Sequence, residues 1–140
     1  MNFELNSDIA EQVAALQARF KERAEKLDSD TKKAVNTCCL KLERDIKASM
    51  SPNGPSKPGE PPAVDTGRLR ASITHRVETE SEEVAGYVGT NVEYAPDLEF
   101  GKGRILPRPF MFPAMERNRE WIKNKLKSVV RDPESVGSDA

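Results

Sequence analysis

The sequence is poor in the residues that most often carry enzyme chemistry. Its 140 residues include one histidine, two cysteines and one tryptophan. Acid–base catalysis and nucleophile activation usually involve histidine, and a metal site needs clustered ligands. Cys38 and Cys39 are adjacent in a helical pattern, where successive side chains diverge by about 100°, so metal-ligand spacing is absent and a mutual disulfide is disfavoured. We expect no enzyme, no catalytic or metal residue and no cofactor.

The single histidine, His75, belongs to a stretch of alternating residues that is typical of a β-strand. It shares one side of that strand with Ile73 and Val77. This placement favours a half-buried structural histidine over a catalytic one. The acidic residues that follow are typical of a solvated hairpin tip rather than a metal site. They are Glu78, Glu80, Glu82 and Glu83.

Long apolar runs and an excess of one charge are also lacking. No stretch approaches the ~20 apolar residues that span a bilayer, and the N-terminus does not resemble a signal peptide. We therefore expect no membrane contact and synthesis in the cytoplasm. With 22 basic and 23 acidic residues, the net charge of −1 excludes a strongly basic nucleic-acid binder. Hydrophobic residues make up 36% of the chain, so part of the core is expected to come from neighbouring subunits.

The apolar pattern predicts two amphipathic helices around a small sheet. Apolar residues recur at steps of three and four from Ser7 to Ala48, which predicts one long helix, with a potential break at Asp28-Ser29-Asp30. Residues 51–62 hold five of the ten prolines. They favour an extended connector, although a docking peptide for a partner is an alternative. A second helical pattern occupies 113–131, and 132–140 are expected to form a disordered tail.

Between the helices, residues 64–112 predict a β-hairpin region. A helical turn capped by Asp65 or Thr66 leads into strands at 73–79 and 84–90, and Gly86 and Gly89 suggest a bulge or a close backbone approach. Another helical turn is stopped by Gly101. Because two strands alone are marginal, further strands are expected at 91–95 or 104–109, or from another subunit.

These elements predict an α+β fold in which a long N-terminal amphipathic helix and a C-terminal helix pack on a small antiparallel β-sheet. One domain covers 1–130, with 1–50 helical, 51–63 as the proline-rich loop, 64–112 as the hairpin region and 113–131 as the C-terminal helix.

The C-terminal helix raises a second functional hypothesis. From Pro113 to Arg131 it carries six basic and two acidic residues, a net charge of +4, and Lys102, Arg104 and Arg108 crowd a preceding loop. Such a patch predicts a small nucleic-acid-binding module with salt-sensitive affinity for phosphates. No aromatic residues interleave with these charges as single-strand platforms require, which favours a solvated helix face.

Four segments occur in an order that resembles the gene-ten-like family of tail components of long-tailed phages, typified by phage HK-ninety-seven. The resemblance covers about residues 60–130, and the helical N-terminal part fits the same layout. The segments are Val64-Asp65-Thr66-Gly67-Arg68-Leu69-Arg70-Ala71-Ser72-Ile73, Val88-Gly89-Thr90 with Tyr94-Ala95, Leu98-Glu99-Phe100-Gly101, and Arg108-Pro109-Phe110-Met111 with Pro113-Ala114.

The resemblance implies a structural virion protein at the head–tail junction that completes or terminates the tail and acts as a ring, with a hexamer as the first expectation. Its implied partners are the tail tube protein and the head–tail connector or stopper proteins, and non-specific contact with DNA in the channel is a further option. The candidate assembly residues are Asp65, Thr66, Gly67, Arg68, Arg70, Tyr94, Glu99, Phe100, Gly101, Lys102, Arg104, Arg108, Pro109 and Phe110.

Two side-chain roles are expected within this set. Arg68 and Arg70 could pair with a carboxylate such as Glu99, inside or between subunits. The aromatic cluster flanked by Pro109 and Pro113 is expected to pack mainly in the core rather than at an interface. Its members are Phe100, Phe110 and Phe112.

Overall fold

A computed structural model describes residues 7–50, 55–65 and 67–130. The elements follow in the order α1 (Ser7–Ser49), α2 (Arg68–Ser72), β1 (Thr74–Glu80), β2 (Glu83–Gly89), α3 (Ala95–Phe100) and α4 (Met111–Val130). The α+β prediction is confirmed. The predicted cap residue Thr66 and the predicted tail at 132–140 lie outside the described residues.

Helix α1 is continuous over its 43 residues, a length of about 65 Å at a rise of 1.5 Å per residue. The expected weak point at Asp28-Ser29-Asp30 does not interrupt it. Asp28 accepts a hydrogen bond from Lys32 Nζ at 2.7 Å, which uses the carboxylate for an i,i+4 ion pair rather than for a new helix cap. The single-helix prediction is therefore confirmed.

The cap of α2 differs from the one predicted. Its N-cap residue is Gly67, in the left-handed region at φ 79°, and among the described residues no side chain caps the helix. Ala71 N donates to Gly67 O at 2.9 Å. The N-cap position is therefore Gly67 rather than the predicted Asp65, because the chain enters α2 through a backbone turn that glycine adopts without steric cost.

Strands β1 and β2 form the predicted antiparallel hairpin. Their register runs without interruption from Thr74 opposite Gly89 to Glu80 opposite Glu83. In the described part of the chain the sheet has these two strands alone, so the strands expected at 91–95 or 104–109 are absent there. An isolated bridge between Lys102 and Ile105 replaces them.

Gly86 marks a close approach between β2 and α1 rather than a bulge. A Cβ atom at this position would lie 2.5 Å from Cys39 Sγ and 2.7 Å from Val35 Cγ1. The unbroken register through Gly86 excludes the bulge that the sequence also allowed. Glycine therefore lets the hairpin lie directly on the C-terminal half of α1.

The core lies where the C-terminal half of α1 meets α2, the 92–95 segment and the start of α4. Its buried members are Ile46, Met50, Leu69, Ile73, Val92, Ala95, Phe110 and Ala114. The N-terminal half of α1 contributes nothing to this core. Among the described residues, no helix combines the length and apolar character needed to cross a bilayer.

Candidate assembly surface

A buried carboxylate organises the junction between α3 and α4. Glu99 Oε2 accepts the backbone N–H groups of Phe110 at 2.8 Å and Met111 at 3.0 Å, and its Oε1 accepts that of Phe112 at 2.9 Å. These N–H groups belong to the first turn of α4, which has no intrahelical acceptors for them. The negative charge also complements the positive end of the helix dipole. Glu99 therefore acts as an N-terminal cap supplied from a different helix.

This role differs from the one expected for Glu99. Both of its oxygens bind backbone N–H groups, rather than serving an arginine pair as predicted. Arg68 instead lies 3.8 Å from Glu93 Oε1 and 5.9 Å from the centre of the Tyr94 ring. The sequence offered no signal for this cap, because Glu99 precedes the helix it caps by a whole loop.

Two further backbone features fix the loop that joins α3 to α4, over residues 101–110. Gly101 adopts φ 76°, and a Cβ there would lie 2.8 Å from Ile105 O. Arg108 N donates to Leu98 O at 2.6 Å. The Leu98–Gly101 and Arg108–Phe110 segments, which were separate motifs in the sequence, therefore form one structural unit.

The three phenylalanines of this region have different environments. Phe110 is buried, but Phe100 and Phe112 are 78% and 64% exposed. The expectation that the aromatic cluster packs mainly in the core was therefore wrong for two of its three members. At the turn that Glu99 caps, the Phe110 side chain lies in the core, whereas the Phe112 side chain lies on the outer surface.

The exposed phenylalanines border an apolar groove of about 920 Å³ between α1, β2 and α4, called the groove below. Helix α1 contributes Val35 and Cys39, β2 contributes Tyr87, and α4 contributes Met111 and Met115. Large apolar side chains that stay exposed side by side along a groove are typical of an interaction site. Sequence analysis missed Tyr87 and Met115, because their strand and helix patterns do not show that one surface unites them.

The two cysteines line this groove as unpaired thiols. Cys38 and Cys39 are free and buried. Burial raises the pKa of both thiols, so they stay protonated at neutral pH. Their role here is apolar packing. Among the described residues, no group of His, Cys, Asp or Glu side chains is placed to hold a metal ion.

Polar contacts fix α4 against α1 beside the groove. Asn118, which interrupts the apolar stripe of α4, is buried and donates from Nδ2 to Ala114 O at 2.8 Å. Burial alone would raise the pKa of Asp45, but hydrogen bonds from Asn118 and Lys41 together lower it. Lys41 Nζ also lies 5.3 Å from the centre of the Trp121 ring.

His75 connects β1 to α1. Its Nδ1 donates to Glu43 Oε2, and its Nε2 lies 3.2 Å from Asn36 Oδ1. The hydrogen bond from Lys47 lowers the pKa of Glu43 most, and the hydrogen bond from His75 lowers it further. This carboxylate therefore stays charged below its ordinary pKa. The expectation of a half-buried histidine is confirmed.

Six of the fourteen predicted assembly residues line a second cleft of about 820 Å³ rather than the groove. Its lining includes Asp65, Gly67, Arg68, Arg70, Tyr94 and Arg108. Arg108 Nη2 donates to Ser56 O at 3.2 Å, which ties the proline-rich segment to the α3–α4 junction. That segment, over residues 55–65, has no helix or strand, as expected of a connector.

The three basic residues predicted to crowd one loop lie in different environments. Arg108 is half-buried in the second cleft, whereas Lys102 and Arg104 are exposed at the bridge formed by Lys102 and Ile105. Five basic residues of α4 are exposed as well. They are Arg117, Arg119, Lys123, Lys125 and Lys127. Grouping Arg108 with a solvent-facing patch was wrong, because its side chain is engaged by the proline-rich segment.

Comparison with known proteins identifies a family. A family model described as "Bacteriophage HK97-gp10, putative tail-component" matches residues 14–101, which is more than half of the chain. The matched region begins within α1 and ends at Gly101, so the Arg108–Ala114 segment lies outside it. No curated protein and no solved structure matches the chain significantly.

Proposed function

This chain belongs to the HK97-gp10 family of bacteriophage tail components, and from that premise we propose that it is a structural virion protein that completes or terminates the tail. In this role it caps the tail tube and helps to join the tail to the head. Its partners are the tail tube protein and the head–tail connector or stopper proteins. It acts as a ring, for which the symmetry of phage tails makes a hexamer the first expectation.

The observation that carries this proposal is the amount of apolar surface left uncovered on one subunit. The groove is open between three elements, and the N-terminal half of α1 is exposed on every side. Large apolar side chains exposed on both of these surfaces are normal for a subunit whose neighbours cover them. A multi-copy assembly at the end of a tail provides such neighbours.

We further propose that the chain performs no catalysis. In support, the single histidine serves as a link between β1 and α1 through Glu43 and Asn36. Turnover of a substrate that disappears on replacement of His75 would refute this part of the proposal.

Electron microscopy of a phage lacking this gene tests the function. Overlong tubes indicate a terminator, and tubes of normal length that remain unattached to heads indicate a completion protein. The full-length chain supplied in trans should restore joined virions in either case. Normal joined virions in the deletion phage would overturn the proposal, as would labelled copies located away from the junction between head and tube.

A further inference from the structure

The N-terminal part of α1 packs against no other described part of its own subunit. Residues 8–29, called the arm below, are exposed at every position. Five large apolar residues of the arm share one face and are 47–62% exposed. They are Ile9, Val13, Leu16, Phe20 and Leu27. An amphipathic helix in water gains most of its stability by packing its apolar face, so the arm is suited to being covered.

The arm cannot cover the groove of its own subunit. Val35 and Cys39 in the groove belong to the same unbroken helix, so folding the arm back would require breaking α1. Instead, the 22 arm residues extend about 33 Å away from the groove at 1.5 Å per residue. An arm that fills the groove must therefore come from another copy of the chain.

The dimensions of the arm and the groove correspond. On α4 the groove extends from Met111 to Leu126, which is about 22 Å of helix at 1.5 Å per residue. The stretch of the arm from Ile9 to Phe20 spans about 17 Å by the same measure. The apolar face of the first turns of the arm can thus lie within the groove along its length.

The residues that flank the apolar face favour this occupant over a coiled coil between two arms. A coiled coil usually places Glu or Lys at the flanking positions, where they form salt bridges between helices. In the stretch from Ile9 to Phe20 these positions hold three uncharged residues and a single charged one. They are Ala10, Gln12, Gln17 and Arg19. Asp8 and Glu11 lie more than about 100° from the centre of the apolar face, given 3.6 residues per turn. Such a helix can be enclosed on three sides with one charged residue, Arg19, at the rim, where its long side chain keeps the guanidinium in water.

We infer that the arm of one copy lies in the groove of a second copy, with its apolar face against Met115 and between the exposed Phe112 and Tyr87. This inference rests on the proposed ring-forming function and specifies its contact. The donor and acceptor surfaces are different parts of the chain, so the contact is heterologous. Repetition of one heterologous contact generates a closed ring when the rotation closes. One contact then covers both apolar surfaces of every subunit.

Two full-length variants separate the donor surface from the acceptor surface. Leu16→Glu places a charge on the apolar face of the arm, and Met115→Glu places one in the groove. Both residues are exposed, so each variant should retain the wild-type circular dichroism spectrum. Leu106→Glu is the matched control, because Leu106 is a similarly exposed leucine that does not line the groove.

Native mass spectrometry should show multi-copy assemblies for the wild-type chain and for the control. Each variant alone should be monomeric, because every contact needs one intact arm and one intact groove. An equimolar mixture of the two variants should give a heterodimer and nothing larger, since a single intact contact remains. If Met115→Glu still assembles while Leu16→Glu does not, the arms pair with each other and the inference is wrong.

Photocrosslinking identifies the contact directly, in assemblies that have the same mass as those of the wild-type chain. A benzophenone amino acid at position 16 should crosslink to Met111 or Met115 of another copy, with isotope-mixed protein showing that the link joins two chains. The same probe at position 18, on the opposite face of the arm, should give none of these crosslinks. Crosslinks from position 16 to a tube or connector protein instead would overturn the inference.

Complementation of the deletion phage separates failure of this contact from failure of the proposed function. If Leu16→Glu restores joined virions as fully as the wild-type chain does, the arm contact is refuted while the tail function stands. If the deletion itself leaves tails normal, the tail function falls independently of the arm.

Discussion

Replacement of Glu99 by glutamine should destabilise the protein by about 2 kcal/mol. The glutamine keeps one oxygen, which can still accept two of the three backbone N–H groups, but its amide replaces the other oxygen with a donor and removes the charge. Loss of a hydrogen bond to a charged group costs about 1.5–3 kcal/mol, and loss of a helix cap about 0.5–2 kcal/mol. Glu99→Ala removes all three acceptor contacts and should cost about 3–4 kcal/mol on the same basis.

Urea unfolding of the full-length chain, followed by circular dichroism at 222 nm, measures this loss. With a denaturant slope of about 2 kcal/mol per molar, Glu99→Gln should lower the midpoint by about 1 M. Glu93→Gln is the matched control, because Glu93 is a nearby exposed glutamate whose loss should change the midpoint little. If the two glutamine variants unfold at the same midpoint, the buried carboxylate does not stabilise the start of α4 and the argument is wrong.

Three other expectations follow from particular contacts. Gly86→Ala should destabilise the fold by about 1–3 kcal/mol through overpacking against α1, and adding Cys39→Ala should recover part of that loss in the same urea assay. The pKa of Glu43 is lower in the folded protein than its ordinary value of 4.5. The carboxylate therefore stabilises the fold at pH values above 4.5, and this stabilisation is lost as the pH falls through the folded-state pKa. Glu43→Gln should therefore be less stable than wild type at pH 7, with a smaller loss between pH 7 and the acid range in thermal melts. The full-length chain should retain little duplex DNA on a filter at physiological salt. Strong retention that Lys123→Glu with Lys127→Glu abolishes would favour the nucleic-acid-binding hypothesis.

The local elements of this fold were accessible from sequence because each depends on contacts between near neighbours. The spacing of apolar residues predicts α1 and α4, and the alternation around His75 predicts the hairpin. Gly101 ends α3 as its conformational freedom suggests, and Gly86 lies at a close approach between elements. One local prediction was wrong because two residue preferences compete at the same place. At α2 the sequence offers both side-chain caps and a glycine, and Gly67 is the residue that begins the helix.

The candidate site was less accessible, because its residues come from elements far apart in the chain. Phe110 and Phe112 belong to one motif, yet the first is buried and the second is exposed. Arg108 belongs to a basic segment, yet its guanidinium binds Ser56 O. Residue type and spacing predict neither difference. The first depends on which side of the capped turn the phenylalanine side chain leaves, and the second depends on where the proline-rich segment lies.

Residue pattern alone was enough to predict the two amphipathic helices, the hairpin, the order of the motifs and the likeness to phage tail components. Three features became visible only in the folded chain: Glu99 caps α4, an apolar groove lies between α1, β2 and α4, and the arm projects away from that groove. The physical reason is that periodicity records which face of a helix is apolar, whereas the surface that covers this face depends on contacts distant in sequence or on another molecule.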